Sequence, residues 1–287
     1  MNHVLNDTSP SALIPVIETN LIELFSLFSG WSQAEVYDEA DLFWTITDIP
    51  FSLFNSILRT RLAPDTVDET IEAAITRARS RNVPLLWWVN QASRPSNLEE
   101  YLIKHDFKFI GDSPGMAVDL LDLNENFQPQ PELNVRTVND RKTLRIWSSV
   151  LTRGFGLPEH AGKGFFDFFS TLGFGAQSPI RHYIGWLKEE PVAVSTLFSG
   201  RGVAGVYNLA TVPEVRRQGI GSTMLMKPLR HARKAGYRFV ILQASEMGVS
   251  VYRRVGFKEY CILSHYLWTD ETTPGRESGT EALRLKQ

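Results

Sequence analysis

The chain has 287 residues, enough for about two domains of ordinary size. Its 43% hydrophobic and 22% charged residues exclude a mainly disordered, collagen-like or coiled-coil protein. With 30 basic against 32 acidic side chains the net charge is −2, so no cationic excess exists for a nucleic-acid backbone.

Cys261 is the single cysteine. It excludes an internal disulfide framework and a multi-cysteine zinc site, and a reducing cytoplasm is the simplest compartment. Residues 1–28 lack the basic start and clean apolar run of a signal peptide. Glu18, Asn20 and Glu23 interrupt the one stretch that suggests a membrane span. We expect a cytoplasmic chain with no membrane or nucleic-acid partner.

In the N-terminal half, residues 54–60 read as a strand, 67–82 as a helix, 85–89 as a strand, 97–106 as a helix and 107–111 as a strand. The stretch 120–133 contains Pro, Asn and Gln without apolar periodicity and reads as a break. Beyond it, 134–138 reads as a strand, Asp140 opens a helix through Leu151, 154–164 is an entry loop and 164–172 a second helix. Residues 181–187, 191–199 and 203–212 read as successive strands. A helix over 221–236 follows despite Pro228, then a strand at 239–245, a short helix at 250–256 and a last strand at 257–268.

The two halves share an order of elements. Leu85 aligns with Phe239 and Arg79 with Arg233, and the stretch around Phe107 aligns with that around Phe257 at a nearby offset. We therefore expect an α+β chain of two related domains, each a mixed, mostly antiparallel sheet flanked by helices. The expected boundaries are 1–121 for a degenerate copy, 122–132 for a linker, 133–268 for the equipped copy and 269–287 for a polar tail.

The informative segment is NLATVPEVRRQGIG, residues 208–221, set between a strand and a helix. It carries R-x-x-G-x-G as Arg216, Gly219 and Gly221. Glycines there let the backbone turn tightly and approach a ligand without Cβ interference. The unpaired N–H groups of the loop and first helical turn, with the helix dipole, suit a pyrophosphate. Arg216 and Arg217 add positive charge. Downstream, LQASEMGVSVYRRVGF supplies a strand, a short helix bearing Tyr252, and Gly256-Phe257.

These residues resemble the GNAT superfamily of acyl-CoA-dependent N-acyltransferases. The resemblance runs from about Leu133 to Trp268, and Leu209 to Phe257 carries nearly all of it. It implies two GNAT-like domains with a splayed strand pair in the C-terminal copy. It implies acetyl-CoA as co-substrate, with pantetheine pairing along Leu209, Ala210, Thr211 and Val212. The pyrophosphate would lie on Arg216, Arg217, Gln218, Gly219, Ile220, Gly221 and Ser222, with Ser245 also at the cofactor, and Tyr252 would protonate the departing thiolate. One residue of the basic set Arg230, Arg233 and Lys234 could touch the CoA 3′-phosphate, although that set reads first as a solvated helix face. A primary amine is protonated at neutral pH and must lose a proton before attack. Tyr207, Asn208, Glu246 and Glu159 are open candidates to assist, as is a water chain.

The N-terminal copy lacks the equipment, for Gly219 and Gly221 align with Asp65 and Val67. A carboxylate at the phosphate turn repels the ligand, and a β-branched residue disfavours positive φ. We expect that half to be structural. Gly200-x-Gly202-x-x-Gly205 lies between two strands and reads as a hairpin turn rather than a dinucleotide site. His160, His182, His231 and His265 lack metal-ligand spacing, so no metal is expected. Cys261 reads as a packed strand residue and Phe165, Phe166, Phe168 and Phe169 as helix core.

The expected activity is acetyl transfer from acetyl-CoA to a primary amine, a small molecule being favoured over a protein as acceptor. The alternatives are a CoA-thioester-binding module without turnover, and a transferase using a longer acyl-CoA.

Overall fold

A computed structural model describes residues 4–126, 129–175 and 178–270. The helices are α1 (Pro10–Ser26), α2 (Val67–Ser80), α3 (Leu98–Lys104), α4 (Arg141–Phe155), α5 (Glu159–Thr171), α6 (Ile220–Lys234) and α7 (Glu246–Val255). The first strands are β1 (Ala34–Asp38), β2 (Leu42–Thr47), β3 (Ser56–Thr60), β4 (Leu85–Val89) and β5 (Lys108–Asp119). They are followed by β6 (Leu133–Thr137), β7 (Ile180–Leu187), β8 (Glu190–Ser199), β9 (Ala204–Thr211), β10 (Phe239–Gln243) and β11 (Lys258–Trp268).

These elements form two compact units. One comprises Met1–Leu24 with Pro114–Tyr260, the other Phe25–Ser113 with Cys261–Gln287. The units are interleaved along the chain, where the sequence places a single boundary at 122–132. The cause is strand pairing. In the first unit β10 lies between β9, parallel to it, and Pro114–Asp119 of β5, antiparallel to it. In the second, β4 lies between β3, parallel, and the 264–268 stretch of β11, antiparallel. Each parallel pair is thus flanked by the strand that closes the other half of the sequence.

In the first unit β6, β7, β8 and β9 are antiparallel neighbours and continue into β10 through the parallel step. This is the mixed, mostly antiparallel sheet expected. Trp147, Phe168, Tyr183 and Phe239 are among its most deeply buried side chains. Asp140 caps α4, accepting from the Thr143 backbone N–H at 2.7 Å in a capping box. In the second unit, Val67, Ile71 and Ala78 of α2 recur at helical spacing and bury against Leu85 and Trp87 of β4.

Several elements differ from the sequence reading. The loop expected over 154–164 is short, because α5 begins at Glu159. Pro158 presets the entry angle and lacks the N–H that a helix start leaves unpaired anyway. The helix carrying Tyr252 begins at Glu246, one turn earlier than expected. The β1–β2 hairpin had no expectation attached. Residues 122–126 and 129–132 form no helix or strand but are tied down: Asn124 Nδ2 donates to Arg254 O, and Gln130 N to Thr223 Oγ1. The polar tail expected over 269–287 lies, from residue 271 on, outside the described residues.

Helix α1 was also unassigned. Together with the 3-10 turn Leu27–Gly30 it is long and apolar enough by composition to cross a bilayer. Its polar residues are instead engaged within the first unit. Asn20 donates to Val203 O at 3.1 Å, and Glu23 accepts from the Arg201 backbone N–H at 2.9 Å.

Candidate functional site

Strand β9 is irregular where the chemistry is expected. Its register with β8 runs Thr196↔Tyr207 and then Val194↔Ala210, so Asn208 and Leu209 together oppose Ser195. Asn208 takes φ of 53°, the left-handed region that Asn tolerates better than most residues. The bulge is held from one face of the sheet. Asn208 Nδ2 donates to Thr196 Oγ1 at 3.3 Å, and Thr196 Oγ1 lies 2.8 Å from His182 Nδ1. His182 is buried between the rings of Trp147 and Phe169, and desolvation pushes its pKa down to about 3.

On the other edge of β9 the parallel register with β10 runs over Val240↔Ala204 and Ile241↔Gly205. Val212 N then donates to Val192 O, the chain makes the 3-10 turn Pro213–Val215, and the loop enters α6. Arg217 has φ of 64° and Gly219, the α6 N-cap, φ of 76°. The first helical bond from this cap is Thr223 N to Gly219 O at 3.2 Å. The N–H groups of Ile220, Gly221 and Ser222 precede any i−4 acceptor in the helix. No acidic residue occupies this first turn.

The two arginines of the loop divide their work. Arg216, itself exposed, is hydrogen-bonded to backbone: Nη2 donates to Gly154 O and Nε to Thr211 O. Its guanidinium therefore staples the end of α4 to the end of β9. Arg217 is exposed and has no ion-pair partner among the described residues. Arg230 and Arg233 both bind Glu125, whose carboxyl the Arg230 contact, and then the Arg233 contact, hold below its ordinary pKa. The sequence read these two as mainly a solvated face; in the fold they anchor the segment before β6.

Helix α7 approaches the start of α6, with Val251 Cγ1 3.9 Å from where a Cβ on Gly221 would sit. Ser245 caps α7 through its carbonyl, which accepts from Gly248 N at 2.8 Å. Tyr252 follows Val251, is 8% exposed, and packs 5.8 Å from the Phe257 ring. A Cβ on Gly248 would collide with the Tyr252 ring, so that glycine admits it. Burial raises the Tyr252 pKa far above the ordinary phenol value.

Among the candidate proton acceptors, Tyr207 donates its hydroxyl to Asn20 Oδ1 at 2.7 Å, and burial keeps it protonated. Asn208 is bound to Thr196. Glu159 pairs with exposed Lys163, which lowers its pKa. Glu246 stands in the first turn of α7. Cys261 is buried in β11, and Phe165, Phe166, Phe168 and Phe169 are buried in α5. Among the described residues no group of three or more His, Cys, Asp or Glu side chains gathers as a metal site.

In the second unit the helix after β3 starts differently. Val67 is fully buried at the start of α2, and Asp68 and Glu69 occupy that first turn. Asp68 binds Lys104 at 2.9 Å and His105 at 2.7 Å. The edge of β3 beyond its parallel register is filled by the chain itself. Arg94 N donates to Thr60 O, Leu62 N donates to Arg94 O, and Trp87 Nε1 donates to Thr60 Oγ1.

Residues 185–260 match the family model described as an acetyltransferase (GNAT) domain. A curated relative, mycothiol acetyltransferase from Saccharomonospora viridis, is 34% identical over 76 residues, which cover 25% of this chain and 24% of that protein. The match thus spans a small part of that relative's length. A solved GCN5-related N-acetyltransferase from Kribbella flavida is similar with a TM-score of 0.66 at 16% identity, over 88% of this chain and 94% of that one. A tandem GNAT protein from the clavulanic acid biosynthesis pathway gives a TM-score of 0.56 at 11% identity, over 88% and 95%. The structural likenesses establish a GNAT-like mixed sheet flanked by helices, and the sequence likeness to a GNAT acetyltransferase domain is confined to 185–260.

Proposed function

We propose that this chain transfers an acetyl group from acetyl-CoA to a primary amine by direct attack on the thioester. The observation that carries the reading is the end of β9. A strand whose recorded ladder with β10 ends at Gly205 leads into left-handed turn residues and the N–H groups that open α6. We read β9 and β10 as a splayed pair, with pantetheine along Leu209–Val212 and the pyrophosphate on residues 216–222. Arg217 supplies charge there and the Arg216 backbone continues the loop. The match to an acetyltransferase domain and to a mycothiol acetyltransferase supports acetyl as the group carried.

In the reaction the amine nitrogen bonds to the thioester carbonyl carbon, the carbon–sulfur bond breaks, and the thiolate takes a proton. Tyr252, kept neutral by burial, offers its O–H to the developing thiolate as general acid. The amine proton leaves to solvent or through Glu246. No covalent enzyme intermediate is required.

We also read 1–121 and 133–268 as two copies of one fold, the first degenerate. Support comes from the shared order β3-α2-β4-α3-β5 and β9-α6-β10-α7-β11. Both central pairs are parallel. A solved neighbour is itself described as tandem. We place the protein in the cytoplasm and favour a small-molecule amine as acceptor.

Thermal unfolding with and without acetyl-CoA tests the cofactor assignment. A ligand bound only by the folded state adds about 2.7 kcal/mol at a hundredfold excess over its Kd. No shift at millimolar acetyl-CoA would overturn the reading. Thiol release with a panel of small primary amines, comparing acetyl- with longer acyl-CoA, then separates a transferase from a thioester-binding module and fixes the donor.

A further inference from the structure

Helix α1 meets β9 and β10 where their ladder ends. The last recorded pair is Gly205 with Ile241, and two residues further along each strand stand Tyr207 and Gln243. Both are bound to the same helix. Tyr207 Oη donates to Asn20 Oδ1 at 2.7 Å, and Gln243 Nε2 donates to Ile17 O at 3.2 Å. One turn of α1 therefore spans the two strands just past their point of divergence.

The seat for Asn20 is built into the β8–β9 hairpin. A Cβ on Gly205 would collide with Asn20 Oδ1 and with the Tyr207 ring, and one on Gly200 would collide with Asn20 Nδ2 and the Glu23 carboxylate. Asn20 itself is 2% exposed and also donates to Val203 O. The Gly200-x-Gly202-x-x-Gly205 pattern, read as a turn, thus has a second physical reason: its first and last glycines leave room for a side chain from another element.

We propose that α1 is a strut holding β9 and β10 apart, with Asn20 as its positioning residue on β9 and the Ile17 carbonyl as its hold on β10. Zipping the strands further would pull Tyr207 and Gln243 off the helix and leave a half-buried hydroxyl and a half-buried amide without these partners, an unfavourable exchange. The strut rests on the reading of this pair as the cofactor cleft. It lies outside the 185–260 match, so the width of the cleft is set by a segment that the matched domain does not contain.

The test compares wild type with Asn20→Ala, with the double variant Tyr207→Phe/Gln243→Leu, and with Leu144→Ala. The last removes a buried α4 side chain that makes none of these hydrogen bonds, and serves as a control for destabilisation alone. Acetyl-CoA affinity is read by calorimetry, and amide exchange over residues 206–211 without ligand. Both strut variants should bind acetyl-CoA about tenfold more weakly and exchange more slowly over 206–211 as the released strands pair, while Leu144→Ala keeps wild-type affinity. Unchanged or faster exchange over 206–211 in both strut variants overturns the strut, whatever the affinities. Affinity that falls equally in Leu144→Ala also overturns it. If wild type does not bind acetyl-CoA, the cofactor reading fails and the exchange arm decides the strut by itself.

Discussion

Arg216 Nη2 donates to the carbonyl oxygen of Gly154 at 2.6 Å. This one contact ties the C-terminal end of α4 to the loop that opens α6. It is possible because α4 lies so close to β9 that a Cβ on Gly154 would press on Ala210 Cβ at 2.9 Å. A charge that looks in sequence like a ligand contact is spent on holding the loop.

Arg216→Ala should therefore act on order first. We expect about 1 kcal/mol of lost stability from the two hydrogen bonds, and weaker acetyl-CoA binding because the loop is released. Arg217→Ala should weaken binding with no loss of stability. Denaturant melts beside calorimetry separate the two, and equal stability loss in both variants would refute the division of labour.

Gly219→Val forces a β-branched residue to φ of 76°. The backbone strain is of order 1–3 kcal/mol, and relief of it would re-aim the N–H groups of the first turn. Binding of acetyl-CoA should be lost while circular dichroism stays that of the wild type. Retained affinity would remove the loop from the cofactor site.

Tyr252→Phe keeps the ring packed on Gly248 and Phe257 and deletes only the hydroxyl. Turnover should drop on the order of 10²-fold with acetyl-CoA affinity unchanged. Unchanged thiol release would reduce Tyr252 to packing.

Stability should fall on mild acidification because two histidines are buried in neutral form. Desolvation depresses His182 to about 3 and His265 to about 4. Below the unfolded value of about 6.5 the unfolded chain binds protons that the folded chain refuses, so stability rises with pH across this window. The dependence runs from 6.5 down to about 4 for His265 and to about 3 for His182. The paired carboxylates have lowered pKa values, so their contribution is lost from the ordinary carboxylate value downward, below this window. Urea melts between pH 5 and 6.5 therefore isolate the histidines, and a flat stability there would contradict their burial.

Calorimetry should find one acetyl-CoA per chain. In the second unit the backbone of Arg94 already occupies the β3 edge at Thr60 and Leu62, and acidic Asp68 and Glu69 stand where phosphate would bind. Two equivalents bound would overturn that account.

Local chemistry carried much of this protein in the sequence. Short apolar, β-branched and aromatic runs set β7–β9, Asp140 and Thr143 mark the start of α4, and Gly219 with Gly221 mark the turn into α6. Each is legible because the cause lies within a few residues. The N-terminal helix was hidden for the opposite reason. Glu18, Asn20 and Glu23 look in isolation like interruptions of an apolar run, and the partners of Asn20 at Val203 and Tyr207 and of Glu23 at Arg201 lie some 180 positions away along the chain.

The sequence alone determined the mixed α/β class and the turn into α6 that is able to present N–H groups to an anion. Only the tertiary structure decided which side chains remain available to a ligand. It committed Arg216 to Gly154, Arg230 and Arg233 to Glu125, and Tyr207 to Asn20, and it gave each unit its last strand from the other half of the chain. Such assignments depend on hydrogen bonds between distant segments, and a buried donor takes whichever acceptor packing brings to it.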